Sequence, residues 1–185
     1  MRLSEPRVAP LPEDAWPEEL QTLMGPNAVA GNAVNVFRTL ARHPGLMRRW
    51  MVFANHVMFK SSLAPREREL VILRIGWLCR AGYEWGQHVP IGADAGLSSE
   101  EIRRIKVGPV HSDWSEADRA LLEATDDLHR DAFVADDTWA TLCRHFDEHQ
   151  RMDLVFAVGQ YNLVSMALNT FGVQLDEGVE GLERP

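Results

Sequence analysis

Cysteine is scarce in this chain of 185 residues, with Cys79 and Cys143 the only two. So sparse a pair reads as buried free thiols and excludes the disulfide framework that staples small secreted domains. Positive charge is also short: 19 Lys and Arg stand against 27 Asp and Glu, a net charge of −8. That field repels a polyphosphate, so no nucleic acid is expected as partner. Long apolar runs are missing. The most apolar stretch, Leu154 to Leu168, is interrupted by Gln160 and Asn162 and falls short of the roughly 20 residues a bilayer requires, so no membrane span is expected. Met1 to Pro10 carries Arg2, Glu5 and Arg7 and no hydrophobic middle of a secretory signal, which makes the cytoplasm the expected location. No segment alternates as a strand, and no Gly-rich phosphate loop follows one, so an all-α fold without an organic cofactor is expected.

What is present divides the chain into three parts. Pro6, Pro10, Pro12, Pro17 and Pro26 predict an extended arm over residues 1–30, with one short turn of helix at Glu18 to Met24 and a surface to wrap. A helical domain is expected over 31–175 and a tail over 176–185. Within the domain, Val36, Phe37, Leu40 and Ala41 recur at helical spacing until His43-Pro44-Gly45. Leu46 to Met58 gives a second apolar stripe. Pro65 suits the first turn of a third helix, where its missing N–H costs nothing. Leu70, Val71, Leu73, Ile75, Trp77 and Leu78 make that helix apolar almost all round, hence central and buried. Gly82 is expected to break it, and Pro90 to interrupt or bend the next, which runs from Tyr83 toward Ala95. Ser98 with Glu101 forms a capping box, Ser115 with Asp118 repeats it, Asp136 or Asp137 is expected to cap Thr138 to His145, and a last helix spans Arg151 to Thr170.

The residues with most chemistry lie in Tyr83-Glu84-Trp85-Gly86-Gln87-His88, preceded by Glu69 within twenty residues. On a helix Glu84 and His88 project from one face and can share a proton or a ligand. They can equally be a satisfied ion pair at a helix interface, Glu69 one of several solvated charges near a helix start, and Tyr83 and Trp85 packing residues. Two carboxylates and an imidazole also suit a divalent ion, with His56 as an extra candidate, but no further ligand motif appears and no metal is expected. His145 and His149 read as a solvated face, Cys143 as core packing, and Asn162 and Asn169 as polar groups bonding the backbone or facing a pocket.

The pieces Ala41-Arg42-His43-Pro44, Leu63-Ala64-Pro65-Arg66-Glu67-Arg68-Glu69-Leu70, Tyr83 to His88 and Ala95-Gly96-Leu97-Ser98 resemble, in order and spacing, the carboxymuconolactone decarboxylase and alkylhydroperoxidase-D superfamily. The peroxidase branch carries two cysteines three residues apart ahead of its histidine; those positions here are Ala81 and Glu84, so dithiol peroxide reduction is not expected. The resemblance implies an alkylhydroperoxidase-D-like helical fold and a cysteine-free, decarboxylase-like lyase. Such an enzyme acts on a small organic acid or lactone by acid/base chemistry, with His88, Glu84 and Glu69 catalytic. It also implies a homo-oligomer, and a non-catalytic member that keeps the fold as an oligomeric binding or scaffold protein is the alternative reading. Tyr83 and Trp85 are candidates for the pocket wall, and Arg66 or Arg74 for holding a substrate carboxylate.

Overall fold

A computed structural model describes residues 2–24 and 34–182. Among them the chain forms nine α-helices: α1 (Glu18–Met24), α2 (Asn35–Leu40), α3 (Pro44–Phe59), α4 (Pro65–Leu78), α5 (Gly82–Asp94), α6 (Ser99–Val107), α7 (Glu116–Asp131), α8 (Asp136–His145) and α9 (Glu148–Phe171). A single 3-10 turn at Glu13–Ala15 precedes α1. No strand occurs among the described residues, and no helix is long and apolar enough to cross a membrane.

The helix that is apolar all round lies at the centre. Every residue from Glu69 to Gly76 of α4 is buried, and α5, α6, α7 and α9 pack around it. Pro65 opens α4 and the Glu67 carboxylate accepts from the Ala64 N–H at 3.0 Å, satisfying a donor that the first turn leaves free. Leu70, Val71, Ile72, Leu73 and Ile75 join Leu121, Leu122, Leu142, Leu154 and Ala157 in the main core.

Several local expectations are corrected. The break after α4 falls at Arg80, whose φ of 51° is left-handed, while Gly82 is already the first residue of α5. Pro90 does not interrupt α5, which continues to Asp94. A proline costs a helix interior about 3 kcal/mol, and here the buried side of the helix outweighs it, with Gly92 seated against Leu73 and Leu97. Pro44 opens α3 and His43 caps it, its ring accepting from the Leu46 N–H at 3.3 Å. Asp136 and Asp137 lie in the first turn of α8, and the cap position is Ala135. Asp147 and Gln150 form a reciprocal capping box at 2.9 Å each that starts α9 at Glu148, three residues earlier than expected. Cys143 is exposed, not buried; Cys79 is buried.

The described arm lies on its own chain. The N–H groups of Arg7 and Val8 donate to the Phe171 carbonyl at 2.8 and 3.1 Å, Leu11 N–H donates to Arg38, and Trp16 and Leu20 close a second core with Ala41 and Met47. The expected arm–domain boundary at residue 30, and Pro26, lie outside the described residues. After α9 the chain returns across α5, so closely at Gly86 that a β-carbon there would stand 2.7 Å from the Glu180 carbonyl oxygen.

Arg74 fastens the frame around α4. Its guanidinium donates to both oxygens of Asp126 on α7 (2.6 and 2.7 Å) and to the carbonyls of Ile105 and Lys106 at the end of α6 (2.7 and 3.3 Å). Arg74→Met strands these acceptors and is expected to destabilise the protein by about 3 kcal/mol. Urea unfolding should show a lower midpoint at unchanged slope; an unchanged midpoint would mean the clamp contributes nothing.

Candidate functional site

Glu69, Glu84 and His88 come together because α4 and α5 pack closely. Gly76 leaves room for this: a β-carbon there would lie 3.5 Å from Glu84 Cγ. Glu84 and His88 stand one turn apart on α5, and Glu69 faces them from the first half of α4. His88 Nδ1 lies 2.7 Å from Glu69 Oε2, in a buried hydrogen bond, and Nε2 lies 3.0 Å from Glu84 Oε1. The imidazole therefore bridges two carboxylates. All three residues are withdrawn from bulk water, at 0 % exposure for Glu69, 4 % for Glu84 and 7 % for His88. Arg68 pairs with the other Glu69 oxygen at 3.1 Å, and the Tyr161 ring of α9 meets the imidazole edge-on, centroids 5.0 Å apart.

The row ends in a cavity of about 230 Å³ lined by Glu84 and His88 but not by Glu69. Glu69 is thus placed to hold the imidazole from behind while Glu84 and His88 face the space. Most of the wall is apolar, with Val36, Phe37, Trp50, Met51, Met58 and Val164 among its members; Asn55, Gln87, Gln160 and Tyr161 add polar groups.

Burial alone would push His88 toward the neutral form. The Glu84 charge beside Nε2 and the Glu69 hydrogen bond on Nδ1 outweigh it and raise the imidazole from 6.5 to about 9. At neutral pH the site therefore holds an imidazolium between two acids. Burial raises the Tyr161 phenol as well, and the Glu84 and Glu69 charges add to the effect.

The remaining candidates fall in different places. Tyr83 lines the cavity, but its hydroxyl is committed: it donates to Asp176 Oδ2 at 2.7 Å and accepts from the Val36 N–H at 3.1 Å. Trp85 packs edge-to-face on Trp77 at 5.9 Å, under the Lys106 ammonium, and does not reach the cavity. Neither arginine offered as a carboxylate holder lines it. Arg66 is paired with Asp118 and Glu101, and Arg74 with Asp126. His56 pairs with Asp153 at 3.2 Å. Asn162 accepts from the Cys79 thiol at 3.1 Å and Asn169 donates to the Cys79 carbonyl at 2.9 Å, so neither faces the cavity. Among the described residues no cluster of three or more metal-ligating side chains converges on one point.

Sequence reasoning missed Gln160, Tyr161, Asn55 and Met58, which line the cavity, and Asp176, which holds Tyr83 and Gln87 at its edge. One signal was readable: Gln160 stands on the stripe Ala157, Tyr161, Val164, Leu168 that α9 buries, where a polar residue is costly unless used.

The raised imidazole makes stability depend on pH. The folded state holds the His88 proton more tightly than the unfolded chain, so this stabilisation is complete below about pH 6.5 and disappears as pH rises through about 9. It amounts to at most about 3 kcal/mol. Denaturant unfolding between pH 6 and pH 10 should show that decline in the wild type and a shallower one in His88→Gln; identical profiles would mean a neutral imidazole in the folded protein.

The description "Carboxymuconolactone decarboxylase family" matches residues 44–127, a segment that contains all three groups. No curated protein matches the chain. Among solved structures, a peroxidase-related protein with an alkylhydroperoxidase core from Ralstonia eutropha JMP134 superposes with a TM-score of 0.80 at 21% identity, covering 92% of this chain and 93% of that one. A peroxidase-related protein from Silicibacter sp. TM1040 gives 0.78 at 17% identity, over 96% and 95%. The debrominase Bmp8 gives 0.70 at 16% identity, over 92% of each chain. Residues 44–127 thus match the carboxymuconolactone decarboxylase family, and the chain shares its fold with proteins built on an alkylhydroperoxidase core.

Proposed function

We propose that the protein is an enzyme of the decarboxylase-like, lyase type that moves protons on a small organic acid or lactone without a cofactor, and that it works in the cytoplasm. The observation that carries this reading is the His88 imidazole held between Glu69 and Glu84 at the edge of a mostly apolar cavity. Removing a proton, or carbon dioxide, from the carbon next to a carbonyl leaves an enolate. Glu84 takes the proton in the first case, and the His88 imidazolium returns one to carbon in either. Glu69 keeps the ring in place and balances its charge, and the dry surroundings strengthen both contacts. The same trio serves decarboxylation, isomerisation or ring opening, since each passes through such an anion.

The thiol peroxidase alternative is disfavoured by position. Cys79 is buried, does not line the cavity, and has its thiol pushed up by burial, while Cys143 is exposed on α8. A panel of small lactones and keto compounds in heavy water, followed by NMR, tests the reading. The wild type and the Cys79→Ser, Cys143→Ser double variant should incorporate deuterium at the acidic carbon, with Glu84→Gln and His88→Gln slower by about 100-fold or more. Exchange that survives in both of the latter variants, or is lost with the cysteines, would sink it.

We also place this activity in a homo-oligomer. Met152, Val155, Phe156, Leu163 and Met166 stand exposed at helical spacing along α9, and Val52 and Phe59 are exposed on α3. Exposed apolar side chains along one helix face mark an association surface when they are contiguous. Light scattering is expected to give a multiple of the 20.9 kDa chain mass, and a mass equal to it would reject the association.

A further inference from the structure

We propose that the cavity beside Glu84 and His88 takes an uncharged carbonyl compound, such as a lactone, ester or amide with an apolar body, oriented by the Gln160 carboxamide, and that it rejects carboxylates. This rests on the proton-transfer chemistry proposed above and decides between the acid and the lactone that it leaves open; since a decarboxylation substrate carries a carboxylate, it also selects proton transfer on a neutral carbonyl compound over loss of carbon dioxide.

The argument begins with charge. No Lys or Arg among the described residues lines the cavity, and its only ionisable acid–base pair is Glu84 with His88. The arginines of α4 are committed to acids: Arg66 to Asp118 and Glu101, Arg68 to Glu69, Arg74 to Asp126. Among the described residues His88 is the one cation at the wall, and each of its nitrogens already faces a carboxylate. Arg68, Glu69, His88 and Glu84 sum to zero with the imidazole protonated. A ligand carboxylate would add an unbalanced negative charge next to Glu84, in surroundings that solvate it poorly.

Gln160 supplies the recognition. It is 5 % exposed and lines the cavity from α9, and among the described residues its carboxamide has no hydrogen-bond partner. Its amide atoms are not among the buried polar atoms left without a partner, so they open onto the cavity, where a ligand can engage them. Its NH2 donates to a carbonyl oxygen and its oxygen accepts an N–H or O–H, and neither supplies a counter-charge. The space next door has the same character. A second cavity of about 190 Å³ shares Val36, Trp50 and Val164 with the first, and no charged residue among the described ones lines it. The body of the ligand is therefore apolar as well.

Cinnamamide and cinnamate, alike in shape and different in charge, test this by calorimetric titration of the whole protein at neutral pH. Cinnamamide is expected to bind at least about tenfold more tightly. Gln160→Leu is expected to weaken cinnamamide by about tenfold while the melting temperature holds or rises, because the variant removes an unmet polar group. A fall in melting temperature with unchanged affinity would make Gln160 structural and overturn its assignment. Glu84→Gln is expected to keep cinnamamide binding and to narrow the discrimination, since the negative wall is gone. Cinnamate binding as tightly as cinnamamide, or no binding of either, overturns the proposal. Retention of turnover in Glu84→Gln, with the wild type preferring the amide and the variant discriminating less, would instead reject the proton-transfer reading and leave this one standing.

Discussion

The contact between Glu69 and His88, 2.7 Å long and sealed from water, is the constraint on which the centre of the molecule depends. A fully buried carboxylate on the central helix is among the costliest groups a core can hold, and only a partner of opposite charge makes it tolerable. His88 is that partner, and Glu84 on its other nitrogen keeps it protonated. Each member is thus a condition for the others. Take away the imidazole and two acids face each other across a dry gap; take away Glu69 and the ring loses its anchor and part of its charge balance. The spacing of α4 and α5, eased by Gly76, follows from the need to hold this row together.

The same logic runs along the rest of α4. Arg66, Arg68 and Arg74 each end on an acid, two of them on α6 and α7 and one on Glu69. Charges enter this apolar helix only where a partner waits. The ion pairs join helices that the apolar contacts already bring together, and they take every α4 arginine out of play as a ligand holder. What is left to face the cavity, among the described residues, is the acid–imidazole pair and neutral groups, the amides of Asn55, Gln87 and Gln160 and two tyrosines. The electrostatic character of the site is therefore a by-product of how the fold is fastened.

The parts of this arrangement that are local in sequence were legible. The all-round apolar pattern of Leu70 to Leu78 located the central helix, Pro65 its start, and Ser98 with Glu101 the next, because periodicity and caps involve residues a few positions apart. Glu84 and His88 were readable as a pair for the same reason. Glu69 joined them only through the resemblance to a known family, since nothing in Arg66-Glu67-Arg68-Glu69 separates the inward acid from the outward one. The arginines misled because a guanidinium in sequence looks available, and its commitment to Asp118 or Asp126 appears only in three dimensions. Pro90 misled in the opposite sense: its local penalty is real, but the contacts of Gly92 and the rest of the buried face exceed it. Cys143, read as core, stands on the outer side of α8, where a small thiol leaves no mark on the pattern.

α9 joins the interior chemistry to the outside of the molecule. Gln160, Tyr161 and Val164 look inward to the cavity, while Phe156, Leu163 and Met166, on the same turns, form part of the exposed apolar stripe. A helix is stiff over such distances, so a surface that presses on the stripe also fixes the amide and the phenol ring beside His88. Leu163 lines the second cavity from the exposed side, so covering it would close that space and exclude water from the neighbourhood of Glu84. Excluding water strengthens the carboxylate–imidazolium contacts and raises the cost of admitting an unpaired anion. Association, proton transfer and the preference for an uncharged ligand would then have one physical cause, a low-dielectric cavity completed at the face of α9.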